Sequence, residues 1–281
     1  MSGAKVRAPI ALIFCTMSGL SLSSGLLAPH LQSLGVLALL GIALALVLGG
    51  MVKGVTGIGV PLVAMPIVTH FLPVKEAVLL LSMPIILGNI PQALEGGEML
   101  PTLRNIAAPL IGTVIGNVLG VSVLIALEPH HAQAASGVAL IVAAMLLLVS
   151  PRLTLAPALV RPVGFVLGFG AALMESIAAV PGPLLAMYLI ASGATGRAFT
   201  KQIAIILVVS VVTLVTTFSH GAHANLVDLA ISAAASLPAI AGMLFVRPLR
   251  DKLHPLAFRV VVLVCVLAAA VQMIVKSGVL F

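Results

Sequence analysis

Tryptophan is absent from this chain, tyrosine occurs once (Tyr188), and aromatic residues of all kinds make up 4% of it. No aromatic belt can therefore mark an interface, and no basic run interleaved with aromatics exists to bind nucleic acid. Charged residues amount to only 7%, too little polar surface to keep a soluble domain of this length in solution. Cysteine occurs twice, at Cys15 and Cys265, without a CxxC pair or metal-type spacing. A disulfide framework and a thiolate metal site are excluded, and two buried free thiols are expected from the apolar context. Also missing are HExxH, GxSxG, GxxxxGK[ST] and a dinucleotide fingerprint. Nothing points to an enzyme, a cofactor or a metal. HxxH at His220/His223 and the pair His130–His131 fall at segment ends, where loop histidines are the commoner explanation.

What is present is hydrophobicity. Apolar residues make up 61% of 281, and mean hydropathy is +1.29. Apolar runs long enough to cross a bilayer as helix recur along the whole chain, so the fold class is an all-α polytopic membrane protein with the lipid bilayer as its main partner. The net charge of +7 comes from Lys and Arg between the apolar segments, as anchoring against a cytoplasmic leaflet requires. Near the N-terminus, Lys5 and Arg7 precede an apolar stretch, Ile10 to Ala28. It reads as a retained extra span or interfacial helix within 1–33, because no good cleavage site follows.

From Gly35 the apolar segments fall at 35–52, 57–72, 76–94, 102–127 and 132–150, then at 163–174, 179–192, 200–219, 226–247 and 255–275. That is five and five. Sliding the chain by 122 residues lays PLVAM (61–65) on PLLAM (183–187) and Lys75 on Arg197; sliding by 126 lays Gly116 on Gly242 and Pro129 on Pro255. Two repeats are expected, 34–151 and 152–281. Charge placement suggests how they are related. If 35–52 and 57–72 form a pair that returns to its starting side, Arg104, Arg152, Arg161, Arg197, Lys201, Arg247, Arg250, Lys252 and Arg259 share one face. Only Lys75 and Lys276 then oppose them, joined by Lys5 and Arg7 in one of the two placements of the N-terminus. The positive-inside rule favours that arrangement, with an odd number of crossings per half and the second half inverted. The connection 151–162 and the loops 193–201 and 248–254 would then be cytoplasmic. Inverted repeats with interrupted segments place helix breaks at a shared site near the bilayer centre.

Each repeat carries one such break, expected to be non-helical over 53–60 and 175–182. The first, KGVTGIGVP, offers Lys53, Gly54, Thr56, Gly57, Gly59 and Pro61: glycines that let amides approach a ligand, a hydroxyl, a cation and a helix start. That set suits a small oxyanion, although Lys53 also fits as an ordinary interface lysine. The second, ESIAAVPGP, supplies Glu175, Ser176, Gly182 and Pro183. An intramembrane carboxylate is a functional candidate: Glu175 is either a coupling-proton carrier or the neutralising partner of Lys53, unless it merely faces the exterior. Ser82, Asn89, Gln92, Asn117, Gln202 and Ser210 are further polar residues on apolar segments. Asn89 and Gln92 share a helix face beside Pro84 and Pro91, and either line a path or bond between helices. Gly112, Gly116 and Gly120 form GxxxG steps that signal close helix packing.

KGVTGIGVPLVAMPIV, and VPGPLLAMYL followed by Arg197, resemble the two halves of the TauE/SafE-type sulfite exporter family over about 34–278. The resemblance implies a multi-pass transporter of the bacterial inner membrane. It would carry sulfite, sulfoacetate or other organosulfonates, act as an exporter, and be energised by protons. It also implies that Gly54, Gly57, Gly59, Pro61, Gly182 and Pro183 contribute to the substrate site. The residues alone also fit a ten-helix drug/metabolite-type transporter of organic metabolites or, less well, a non-transporting intramembrane enzyme or assembly factor. Either a monomer or a homodimer is compatible with the sequence.

Overall fold

The computed structural model describes residues 25–57, 59–96, 98–149, 154–221, 224–246, 248 and 255–279. Among these are twelve helices and no strand: α1 Leu27–Ser33, α2 Val36–Thr56, α3 Pro61–Val68, α4 Val74–Leu94, α5 Met99–Asn105, α6 Ala107–Ala126, α7 Pro129–Val149, α8 Pro157–Ala178, α9 Gly182–Ala191, α10 Gly196–Gly221, α11 Leu226–Val246 and α12 Pro255–Ser277. Eight of them (α2, α4, α6, α7, α8, α10, α11 and α12) are long and apolar enough to cross a membrane. The chain is a polytopic membrane protein. Most of the N-terminal segment discussed above lies outside the described residues, as do Lys5, Arg7, Arg152, Arg247, Arg250, Lys252 and His223.

α3 and α9 hold 8 and 10 residues, about 12 and 15 Å of helix at 1.5 Å per residue, well short of a crossing. Each folds back along the helix before it. A Cβ on Gly49 would strike the Val60 carbonyl, and one on Gly41 the Phe71 ring. In the second hairpin Gly170 faces Leu184 and Gly164 lies against the Tyr188 ring. α2–α3 and α8–α9 are therefore two helical hairpins of the same build.

The largest remaining contacts exchange when α2, α3, α4, α6 and α7 are swapped for α8, α9, α10, α11 and α12. α6 packs on α8 and α2 on α11; α4 packs on α11 and α6 on α10; α4 meets α10, and α7 meets α12. Glycines make the first two crossings possible. A side chain at Gly112, Gly116 or Gly168 would collide with the carbonyls of Phe165, Phe169 or Pro109, and one at Gly50 or Gly242 with those of Ala239 or Val47. Backbones approach this closely only where Cβ is absent, the means by which membrane helices gain packing without a hydrophobic drive. The GxxxG expectation for Gly112, Gly116 and Gly120 holds.

Proline shapes α4. Pro84 has no N–H for the Leu80 carbonyl one turn back; Ser232 of α11 donates to that carbonyl at 2.8 Å and accepts the Met83 amide at 3.0 Å. Directions follow from side-chain contacts at the ends. Lys75, at the start of α4, donates to Ile125 at the end of α6 at 2.8 Å, and Lys201, near the start of α10, donates to Gly96 just beyond the end of α4.

Two expectations need correction. α8 begins at Pro157 and α10 at Gly196, so part of the connection 151–162 and of the loop 193–201 is helix. Proline at the first helical position is accommodated there, since its missing N–H has no intrahelical acceptor. Cys265, expected to be buried, is an exposed thiol on α12 among exposed Val261 and Val264. On a lipid-facing surface apolar neighbours do not imply protein burial.

Candidate functional site

The breaks are shorter than the sequence suggests. Lys53, Gly54 and Thr56 are the last turn of α2, and Glu175 and Ser176 the last turn of α8; helix resumes at Pro61 and Gly182. Both α2 and α8 end on a left-handed residue, Gly57 (φ +74°) and Ala179 (φ +57°). The Gly57 amide donates to the Lys53 carbonyl at 2.8 Å and the Ala179 amide to the Glu175 carbonyl at 2.7 Å. One such residue ends a helix and satisfies a carbonyl, so a wider unravelled stretch is unnecessary. Ala179 holds this conformation against the Cβ clash that usually reserves it for glycine.

The two hairpin tips face one another across a cavity of about 450 Å³, counted out to its open mouth. Lys53, Gly57, Gly59 and Pro61 line it from the first hairpin, Gly182 and Pro183 from the second, and Asn89 from α4. The walls that sequence reasoning missed are Val60, Leu62, Ile85, Ala179, Val180, Pro181 and Leu207. Of these, Ala179 was within reach, because the 122-residue slide lays Gly57 on it.

Lys53 is 6% exposed and alone among the described lining residues carries a charge. Its ammonium donates to the Gly88 carbonyl at 3.1 Å, and no carboxylate of the described residues lies within salt-bridge distance. The reading of Glu175 as its neutralising partner is thereby overturned. Asn89 donates to the Ile85 carbonyl at 2.6 Å.

The other sequence candidates stand elsewhere. Gly54 packs on Val246 and Met243 of α11, Gln92 is half-buried outside the cavity lining, and the side chain of Thr56 lies outside the described residues. Glu175 and Ser176 sit behind the second tip in a fully buried polar cluster. Glu175 is 1% exposed. Its Oε2 accepts the Ser210 hydroxyl and, at 2.9 Å, the Asn117 amide, which also donates to the Ser210 carbonyl at 2.9 Å. Ser176 donates to Asn117 Oδ1 at 3.0 Å. Oε1 of Glu175 is buried and has no partner. Both contacts to the carboxylate are donors, the Ser210 hydroxyl and the Asn117 amide, and both fall on Oε2.

Two acids escaped notice in the sequence. Asp228, fully buried at the start of α11, accepts the amides of Leu26, Leu27 and Asn225 at 2.9–3.0 Å and so ties α1 down. Glu76 is buried beside it, with His30 at 3.6 Å from one oxygen and no partner on the other. Glu128, His130 and His131 gather at an exposed end of α7.

The family model for sulfite exporter TauE/SafE matches residues 42–273, most of the chain, including all of the second hairpin and all but the first turns of α2 in the first. The chain belongs to the TauE/SafE sulfite exporter family. No curated protein and no solved structure matches it. Membership in a family of membrane transporters accords with the eight spans, and a bacterial TauE/SafE member is expected in the inner membrane.

Proposed function

We propose that this TauE/SafE protein is a proton-coupled secondary transporter that exports small sulfur-containing anions such as sulfite, sulfoacetate or other organosulfonates, with the cavity between the hairpin tips as the substrate site. The observation that carries this reading is Lys53: a buried ammonium without a carboxylate partner, facing a cavity bounded by two helix starts. An anion entering there loses several kcal/mol of hydration, and charge-assisted hydrogen bonds from the ammonium offset much of it. The helix starts at Pro61 and Gly182 add partial positive charge.

Glu175 serves as the proton carrier. It occupies the position in the second half that Lys53 occupies in the first, one turn before the left-handed residue. A proton taken onto Oε1 neutralises the cluster, and its release restores a carboxylate that Ser210 and Asn117 already solvate. Because the Glu175 carbonyl holds the Ala179 amide, a change at the carboxyl has a short path to the tip. The halves are inverted with respect to each other, a reading supported by the start of α10 lying beside the end of α4, its counterpart in the other half. Broken elements of inverted halves meeting at one site is the architecture of alternating access.

Flux through proteoliposomes of the purified protein tests the reading. Sulfite or an organosulfonate should cross, and an imposed proton gradient should accelerate it. Absence of anion flux under either condition would remove the proposal.

A further inference from the structure

We infer that the cavity selects a singly charged anion bearing a compact apolar body, a short alkanesulfonate in chemical class, over doubly charged anions such as sulfate, sulfoacetate or fully ionised sulfite. The inference rests on the proposed function and narrows its substrate.

The charge argument is a count of what faces the cavity. Lys53 is the one charged side chain among the described lining residues, and one of its three N–H groups is already given to the Gly88 carbonyl. The helix starts are poorer donors than their position suggests. Pro61, Pro181 and Pro183 have no N–H to offer. The amides of Leu62 and Leu185 are turned to the Gly59 and Pro181 carbonyls. Asn89 directs its amide at its own helix, toward Ile85. One full positive charge with a few amides balances one negative charge. A second negative charge would sit uncompensated among aliphatic walls, and an unpaired buried charge is strongly disfavoured.

The body of the substrate follows from those walls. Val60, Leu62, Ile85, Val180 and Leu207 line the same cavity as Lys53. Water against them gains little, whereas a methylene placed there leaves water favourably, by about 0.8 kcal/mol. A bare inorganic oxyanion leaves most of this surface unused. An ethyl or propyl group covers it.

The test is a binding panel on the intact wild-type protein in lipid nanodiscs: methanesulfonate, ethanesulfonate and propanesulfonate against sulfoacetate, sulfate and sulfite, followed by calorimetry. Ethanesulfonate should bind about tenfold or more tighter than sulfoacetate or sulfate, the ratio that about 1.4 kcal/mol of uncompensated charge produces. Each added methylene should tighten binding about fourfold. Leu207→Asn, or Val180→Thr should the first variant fail to fold, should flatten that increment. Sulfoacetate or sulfate binding as tightly as ethanesulfonate would overturn this inference and leave the anion-transport reading standing. Binding of none of the six would overturn both.

Discussion

Lys53 retains two N–H groups beyond its bond to Gly88, and substitution there separates charge from packing. Lys53→Ala should weaken sulfonate or sulfite binding by about 1.5–3 kcal/mol, the range for hydrogen bonds to a charged group, with normal expression. Lys53→Arg should keep part of the affinity because the charge survives in altered geometry. Calorimetry on both variants checks this, and wild-type affinity in Lys53→Ala would reduce the residue to an interfacial anchor. Glu175→Gln keeps the volume of the side chain and removes its titration. Anion binding should persist while flux loses its response to an imposed proton gradient, read in proteoliposomes. The left-handed residues differ in kind. Gly57→Ala should destabilise by about 1–2 kcal/mol, the Cβ penalty in that region of backbone space, whereas Ala179→Gly should relieve the same strain. Thermal unfolding of the two variants in one detergent gives the signs. Equal losses would mean that Ala179 is not strained.

At the scale of elements, the α6–α8 and α2–α11 crossings depend on glycine in the same way, at Gly112, Gly116 and Gly168 and at Gly50 and Gly242. Gly116→Leu or Gly242→Leu should push the helices apart at a cost at least that of ordinary overpacking, about 1–3 kcal/mol. Size-exclusion profiles and unfolding temperatures report it, and a native profile for both would refute the crossings. These crossings were legible beforehand because GxxxG is a spacing with one physical meaning. So were most of the long helices, set by hydropathy and length. α8 was not, since its apolar run reads as 163–174 while the helix extends over Pro157–Ala178 across Arg161 and Glu175. Less was legible at the breaks. Helix propensity gives no sign that α2 runs on to Thr56 or α8 to Ala178; a single left-handed residue ends each, and at Ala179 that residue is not the usual glycine. Asn117 and Ser210 stood out only as polar residues on apolar helices. That they converge on Glu175 from two other helices is a tertiary fact without local periodicity. Asp228 gave still less signal, since an acid in a first helical turn is ordinary until three distant and local amides turn toward it.

For the whole molecule, contacts already group the ends. The Leu155 amide donates to the Ala191 carbonyl at 2.9 Å, so the connection into α8 and the loop after α9 share one end, as do Gly96 and the start of α10. With the basic residues counted earlier, that end is predicted to be cytoplasmic. Cysteines placed at Thr154 and Thr195 should resist an impermeant thiol reagent added to intact cells, and one at His131 should react. Labelling of Thr154→Cys and Thr195→Cys from opposite sides would sink the inverted arrangement.

The interfaces described above also bear on how the protein is made. Nearly every large one joins an element of the first half to an element of the second: α6 to α8, α2 to α11, α4 to α10 and α11, α7 to α12. Within a half, most contacts are those of the hairpins and their neighbours, with smaller ones between α4 and α7 and between α4 and the end of α6 at Lys75. As synthesis proceeds, helices such as α6, with its row of glycines and buried Asn117, enter the bilayer before any partner exists. Ordinary multidomain chains complete their N-terminal domain first; here the early helices must wait in lipid until α8 to α12 arrive. Ribosome stalling between α7 and α8 should therefore leave a first half that any insertase or membrane protease treats as unfinished.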